Sequence, residues 1–395
     1  MKITDVESIT LVFQYPGDGG FRGGKGRCTG RMSCLVRIST DEGIEGIGSV
    51  YSHPDLVRVI IEDHLRCMLI GKDPLDAEGF WRRAYELTEW YGRKGVAMSA
   101  LGGIDIALWD IRGQARGKPI CELLGGKHDR VPAYASALNW KKDLAELSQE
   151  AAGYLKRGFR AMKMRLGRSY DYDCAALGAV RSAIGPDARL MVDGNARYSM
   201  ADVERLIPEF RSKNVFWLEE PFPPEDIEDY IALRPRLGVA LAAGENEFGV
   251  QGFRELIKAG AVDIAQPDCS RAGGLTECYR IGQLAASHGL RVATHTWSDA
   301  VALVANVHLV ASLSNAITVE VDCTGNPLID DLLEEPFVVR DGEIAVPGGP
   351  GLGIELNLDT VEKYRLPKGS RIPEGHYSDM IFGCEIERSV EAEAP

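Results

Sequence analysis

Leu190-Met191-Val192-Asp193-Gly194-Asn195 is followed by Val215-Phe216-Trp217-Leu218-Glu219-Glu220-Pro221, and then by Val239-Ala240-Leu241-Ala242-Ala243-Gly244-Glu245. Each stretch is a short apolar run that stops at a carboxylate. Asp193, Glu219 and Glu245 stand 26 residues apart, which is room for one strand, one helix and their turns. The same rhythm continues on both sides. Apolar runs at 131–135, 161–166, 262–265, 290–293 and 317–321 bring the strand signals to eight. Helix candidates lie between them at 171–184, 225–234, 253–259, 275–288 and 299–313, and Ser199 with Asp202 reads as a capping box for one more. Pro208 is expected to kink or end that helix. Eight strands alternating with helices predict a parallel sheet closed into a barrel, an α/β fold. The alternative is a doubly wound open sheet, but no G-x-G-x-x-G opens a helix after the first strand.

The flanks read differently. Residues 1–128 open with strand-like text at 3–13 and 34–38, interrupted by a glycine-rich stretch at 17–30 that carries Arg22, Lys25 and Arg27. That stretch is either a plain loop or a lid over a site. Asp41-Glu42-Gly43 marks a turn back into 44–50, and helical text follows over 56–109. Residues 323–395 return to strands and turns, with a hairpin expected around Asp341-Gly342. The expected organisation is an α+β region at 1–128, a barrel at 129–322 and a C-terminal segment at 323–395 that packs back on the N-terminal part.

Composition narrows the function classes. With 45% apolar and 26% charged residues the chain is expected to be globular and soluble. No run of 18 apolar residues is present to span a membrane. A net charge of −13 disfavours a nucleic-acid partner. The nine cysteines are scattered without a C-x-x-C pair, which favours reduced thiols in a cytoplasm over disulfides or a zinc ribbon. Met1-Lys2-Ile3-Thr4-Asp5 lacks the pattern of a signal peptide, so the N-terminus is expected to be mature as written.

In a closed barrel the C-terminal strand ends converge on one mouth. Three carboxylates aimed at one point repel each other and need a cation to stay ionised together. Ligation by oxygen alone suits a hard ion, and Mg²⁺ leaves positions open for water or substrate. Glu220 and Glu247 compete as ligands, although strand alternation lets only one of Glu219 and Glu220 face inward. On the second strand Lys163 and Arg165 are two apart and share one face, the barrel interior, where they can hold a substrate carboxylate or neutralise the acids. The sixth strand ends in Gln266-Pro267-Asp268 and the seventh in Thr294-His295-Thr296-Trp297. A carboxylate beside an imidazole fixes its tautomer and raises its basicity, so Asp268 and His295 read as a catalytic dyad. Asn195, Arg22, Lys25 and His53 are candidates for touching substrate.

Taken together these motifs resemble the mandelate racemase branch of the enolase superfamily. The likeness runs along nearly the whole chain. It is carried by Gly103-Ile104-Asp105-Ile106-Ala107-Leu108-Trp109-Asp110 with Leu123-Leu124-Gly125-Gly126, by the three carboxylate segments, by Arg271-Ala272-Gly273-Gly274, and by Pro350-Gly351-Leu352-Gly353. The resemblance implies a modified TIM barrel, (β/α)₇β, under an α+β capping domain built from both termini. It also implies Mg²⁺ on Asp193, Glu219 and Glu245, a general base pair Asp268–His295, a hydrogen bond from Glu320 to the intermediate, and a homo-oligomer. That family usually has K-x-K on the second strand, the second lysine being a base. Here the place holds Arg165, and a guanidinium does not readily give up its proton. One base, His295, is therefore expected, with Lys163 a substitute only if it reorients. Racemisation needs bases on both faces of the carbon, whereas dehydration needs one. The expected reaction is removal of the proton next to a carboxylate and dehydration of a sugar acid, an aldonate or aldarate, to a 2-keto-3-deoxy acid. Alternatives are a sugar-acid lactone cycloisomerase, a racemase or epimerase, and a barrel that has lost activity and only binds.

Overall fold

The computed structural model describes residues 1–17, 19–24, 26–373 and 375–382. Eight parallel strands form the barrel: Arg130–Ser136, Ala161–Arg165, Arg189–Asp193, Val215–Glu219, Ala240–Ala243, Ile264–Ala265, Arg291–Thr294 and Ala316–Asp322. Each pairs with the next, and the eighth closes on the first with Val319 opposite Ala133 and Asp322 opposite Ser136. The connections hold seven helices, Leu144–Lys156, Tyr170–Ile184, Met200–Ser212, Ile227–Leu237, Gly249–Lys258, Gly274–Ser287 and Ala300–Ser312. This is the (β/α)₇β arrangement. The helix at Leu144–Lys156, capped by Asp143 on the Ala145 N–H, adds to those expected from the sequence.

Pro208 neither ends nor shortens its helix, which runs on to Ser212. The proline ring costs one backbone hydrogen bond. Against that, Val203, Leu206 and Phe210 are buried on the same helix, and the Ser199–Asp202 capping box forms as expected. Burial of one apolar face outweighs a single lost bond.

Alternation along the strands sorts the side chains into two sets. Met162, Met164, Leu190, Val192, Leu218 and Leu241 face outward and pack under the helices. Tyr134, Met191, Trp217, Ala242, Ile264 and Ala293 face inward and plug the barrel. The inward positions nearer the C-terminal strand ends are polar: Lys163, Arg165, Asp193, Glu219 and Glu320, all buried. An apolar plug beneath a polar floor is what aims the charged groups at the mouth.

The N-terminal strands Ile3–Gln14, Gly30–Thr40 and Glu45–Val50 make an antiparallel sheet, and the helices Ala77–Gly92 and Val96–Arg116 follow. The text expected to be helical over 56–109 is thus divided, and its first part includes a π-helical stretch at Val59–Leu65. Helix Val96–Arg116 lies so close on the sheet that a Cβ at Gly48 would sit 1.9 Å from the Gly103 carbonyl oxygen. Glycine is required there. The same helix is tied to the barrel by Asp105, which accepts from the Thr276 N–H (2.8 Å) and hydroxyl (2.6 Å).

The C-terminal segment divides. Asp341 and Gly342, at φ +51° and +82°, make a tight turn between Arg340 and Glu343. The strand that follows it, Glu343–Ala345, pairs with the first barrel strand and not with the N-terminal sheet. Met380–Ile381 does return to that sheet, opposite Arg31 and Gly30. Among the described residues no helix is long and apolar enough to cross a membrane.

Candidate active site

Asp193 and Glu219 are the last residues of the third and fourth strands, and Glu245 follows the fifth after Gly244. Carboxylate oxygens from all three lie within 4.8 Å of one another. Lys163 Nζ reaches Glu219 in a short contact, Glu320 Oε1 at 2.9 Å and Asp193 Oδ2 at 3.6 Å. Arg165 makes a close ion pair with Asp193, and its guanidinium lies 4.9 Å from the Trp297 ring centre. Glu219 Oε2 also accepts from Trp217 Nε1 (2.9 Å) and Gln266 Nε2 (2.8 Å). Glu245 Oε2 is buried without a hydrogen-bond partner among the described residues. A cluster of oxygen donors, one of them unsatisfied, fits a hard divalent cation.

The rival acids point elsewhere. Glu247 pairs with Lys94 at 2.8 Å. Glu220 turns outward at φ +29° and accepts from Gly244 N, Asn246 N and Asn246 Nδ2.

Across the mouth, His295 Nδ1 is 2.8 Å from Asp268 Oδ2. Asp268 is fixed in turn by Ser270, whose N–H (2.8 Å) and hydroxyl (2.7 Å) donate to Oδ1, and by Asn306 Nδ2 at 3.2 Å. His295 Nε2 is left facing Glu245 Oε2 at 3.8 Å and Glu320 Oε2 at 4.0 Å. Burial disfavours charge on this imidazole, but Glu320 and the hydrogen bond to Asp268 outweigh it and raise the group to about 9. Burial likewise disfavours charge on Lys163, yet Glu219 and Glu320 hold it above the ordinary lysine range. Burial pushes Glu219 up. Burial would also raise Glu245, but His295, Lys163 and Arg165 keep it below the usual carboxylate range. In the same way, Lys163, His295 and Arg165 overcome burial at Glu320 and bring it down to about 2. Glu320 forms an ion pair with Lys163 and accepts at Oε2 from the Thr296 N–H at 2.9 Å.

A cleft opens on these groups, lined by Arg165, Asn195, Glu245, His295 and Asn139. Phe21, Tyr51, Trp297, Met380 and Phe382 form its apolar side, and the glycines of the 21–28 hairpin its rim. Asn195 thus lines the cleft. Arg22 is exposed, and neither it nor His53, which precedes helix Pro54–Arg58, is among the lining residues. Alternation in the short hairpin explains Arg22: its neighbours Phe21 and Gly23 face the cleft. Lys25 lies outside the described residues. The aromatic wall is the part that sequence reasoning missed. Trp297 ends the quoted Thr294–Trp297 run, but Phe21, Tyr51 and Phe382 come from the two termini and carry no local signal.

Residues 28–125 match the mandelate racemase / muconate lactonizing enzyme N-terminal domain, and residues 146–360 match the enolase C-terminal domain-like family. The chain is 35% identical over 379 residues to the D-galactarolactone cycloisomerase of Agrobacterium fabrum, covering 93% of this chain and 100% of that protein. The chain belongs to the mandelate racemase/muconate lactonizing enzyme family of the enolase superfamily. Within that family it is also 32% identical over 335 residues to the arabinonate dehydratase of Saccharolobus solfataricus, covering 84% of this chain and 90% of that one. A racemase of Streptomyces coelicolor A3(2) with bound magnesium superposes with a TM-score of 0.85 at 27% identity, covering 92% of this chain and all of the other. The matched family regions contain the helix Val96–Arg116 in the first and every site acid in the second.

Proposed function

We propose that the chain is a Mg²⁺-dependent lyase that dehydrates a sugar acid to its 2-keto-3-deoxy acid. The observation that carries this is the asymmetry of the cleft. One side holds the His295–Asp268 dyad; the other holds Arg165, pinned on Asp193 and Trp297, where a second base would stand. Asp193, Glu219 and Glu245 would hold the Mg²⁺, which supplies positive charge to the substrate carboxylate as negative charge develops there. In its neutral form His295 takes the α-proton at Nε2, and the electrons of the C–H bond move toward the carboxylate. Asp268 keeps the imidazole oriented and stabilises its charged form. The same imidazolium then returns the proton to the β-hydroxyl, which leaves as water. The resulting enol becomes the 2-keto acid. Lys163, held charged between Glu219 and Glu320, serves as a fixed cation and not as a base.

The dehydratase and cycloisomerase names of the relatives support sugar acids as the substrate class. Cycloisomerisation is the second reading, favoured by the full-length likeness to D-galactarolactone cycloisomerase; it too needs one base. The intact dyad speaks against an inactive binding barrel. A homo-oligomer is supported by Leu87, Trp90 and Tyr91 on one helix, Trp90 being 90% exposed. The eight described cysteines are all free, which supports a reducing, cytoplasmic setting.

The test is a screen of aldonic and aldaric acids with Mg²⁺ for 2-keto product, run beside a His295→Asn control. Product from the wild type alone supports the proposal. No product from any acid, or equal product from the variant, overturns it.

A further inference from the structure

Two strand ends and the turn after the fifth strand present the three carboxylates, and one residue outside the cluster, Glu220, bonds to the turns that carry Asp193 and Glu245. Glu220 follows Glu219 directly, so its backbone conformation aims the fourth-strand acid. Its carbonyl accepts from the Ala196 N–H at 2.7 Å, in the turn that follows Asp193. Its side chain crosses to the fifth strand, where Oε1 accepts from Gly244 N (3.1 Å) and Asn246 N (3.3 Å), the amides on either side of Glu245. Oε2 accepts from Asn246 Nδ2 at 2.7 Å, and Asn246 Oδ1 accepts from Arg271 Nη2 at 3.0 Å. Arg271 in turn lies 5.1 Å from the ring centre of Tyr51, whose ring is 5.5 Å from that of His295.

The local backbone is unfavourable unless something holds it. Glu220 sits at φ +29°, a region L-residues rarely adopt. Gly244 sits at φ +135°, where a Cβ would meet Phe253 at 2.7 Å and the Gln266 amide at 3.0 Å. Glycine takes that conformation without strain, so the strained residue is Glu220, whose buried side chain accepts three hydrogen bonds that hold it.

We infer that Glu220 is a positioning residue that fixes Glu245 against Asp193 and Glu219 and so sets the affinity of this site for its divalent cation. The inference rests on the proposed reading of those three acids as the cation ligands. A glutamine at 220 keeps Oε1 for the two amides flanking Glu245 but turns an N–H₂ toward Asn246. Alanine removes all three acceptors. Outer groups that orient metal ligands typically contribute 10–100-fold in affinity.

The experiment is calorimetric titration of the full chain with Mg²⁺, with the folded state of each variant checked by circular dichroism. Glu220→Ala is expected to raise the Kd at least about 10-fold, and Glu220→Gln and Asn246→Ala, each of which keeps both backbone contacts and loses the bond from Asn246 Nδ2, to raise it only about threefold. Rescue by glutamine is the readout that a purely structural role would not give. If Glu220→Ala does not fold, the Asn246→Ala and Glu220→Gln titrations still decide. An unchanged Kd in folded Glu220→Ala, in Asn246→Ala when alanine at 220 fails to fold, or a glutamine variant as weak as the alanine one, overturns the positioning role. Glu245→Ala separates the two readings: if it binds Mg²⁺ like the wild type, the ligand assignment itself fails, whatever Glu220 does.

Discussion

Asp268 occupies His295 Nδ1, which leaves Nε2 open to the cleft. Replacing the imidazole with an amide of similar reach removes the proposed base and leaves the carboxylates in place. His295→Asn is expected to keep its fold and its Mg²⁺ affinity but to slow exchange of the substrate α-hydrogen with D₂O roughly 10³-fold. NMR loss of the α-proton signal is the measurement. Exchange at the wild-type rate would move the base to another residue. At this scale the sequence was most informative where chemistry follows strand position. Asp193 and Glu219 end their strands, Asp268 lies three residues past the sixth, and Lys163 and Arg165 share a face because they are two apart. It was least informative for Arg22 and His53, whose directions depend on a three-residue hairpin strand and on the entry to a short helix.

Asp299 shows how one side chain joins two elements. Its Oδ1 caps helix Ala300–Ser312 at the Ala302 N–H (3.0 Å). Its Oδ2 accepts from Ser49 at 2.6 Å and, in a shorter contact, from Ser33, both on the N-terminal sheet. Asp299→Ala loses a cap and leaves two buried hydroxyls unsatisfied, so a destabilisation of roughly 3 kcal/mol is expected. Urea unfolding measures it; a change below about 0.5 kcal/mol would show that the helix is held by packing alone. The repeating elements were legible because apolar runs and caps are local. Local rules failed at Pro208, where packing of Val203, Leu206 and Phe210 decides, and at Glu343–Ala345, whose partner strand lies more than two hundred residues earlier.

Across the whole molecule, His308 links three parts of the chain. It sits in the last barrel helix, accepts at Nδ1 from Cys121 N (3.3 Å) and donates from Nε2 to the Leu352 carbonyl (3.0 Å). Burial lowers it to about 4 from an ordinary 6.5. A lowered value means that the unfolded chain takes up the proton first. The stability it contributes is complete above about 6.5 and lost as pH falls through about 4, on the order of 3 kcal/mol in all. Asp105, raised by burial to about 7, works in the opposite sense, contributing fully below 3.8 and losing that contribution as pH rises through about 7. A His308→Gln variant isolates the histidine: its melting temperature should fall less than the wild type's between pH 7 and pH 4.5. Parallel curves would contradict this. Residues of the barrel and of the N-terminal strands meet at the cleft. The most direct test of the account follows a panel of sugar acids with enzyme and Mg²⁺ in D₂O by NMR. A 2-keto-3-deoxy product carrying deuterium at carbon 3 is expected. Clean epimerisation at carbon 2, or a rearranged lactone with no loss of water, would contradict it.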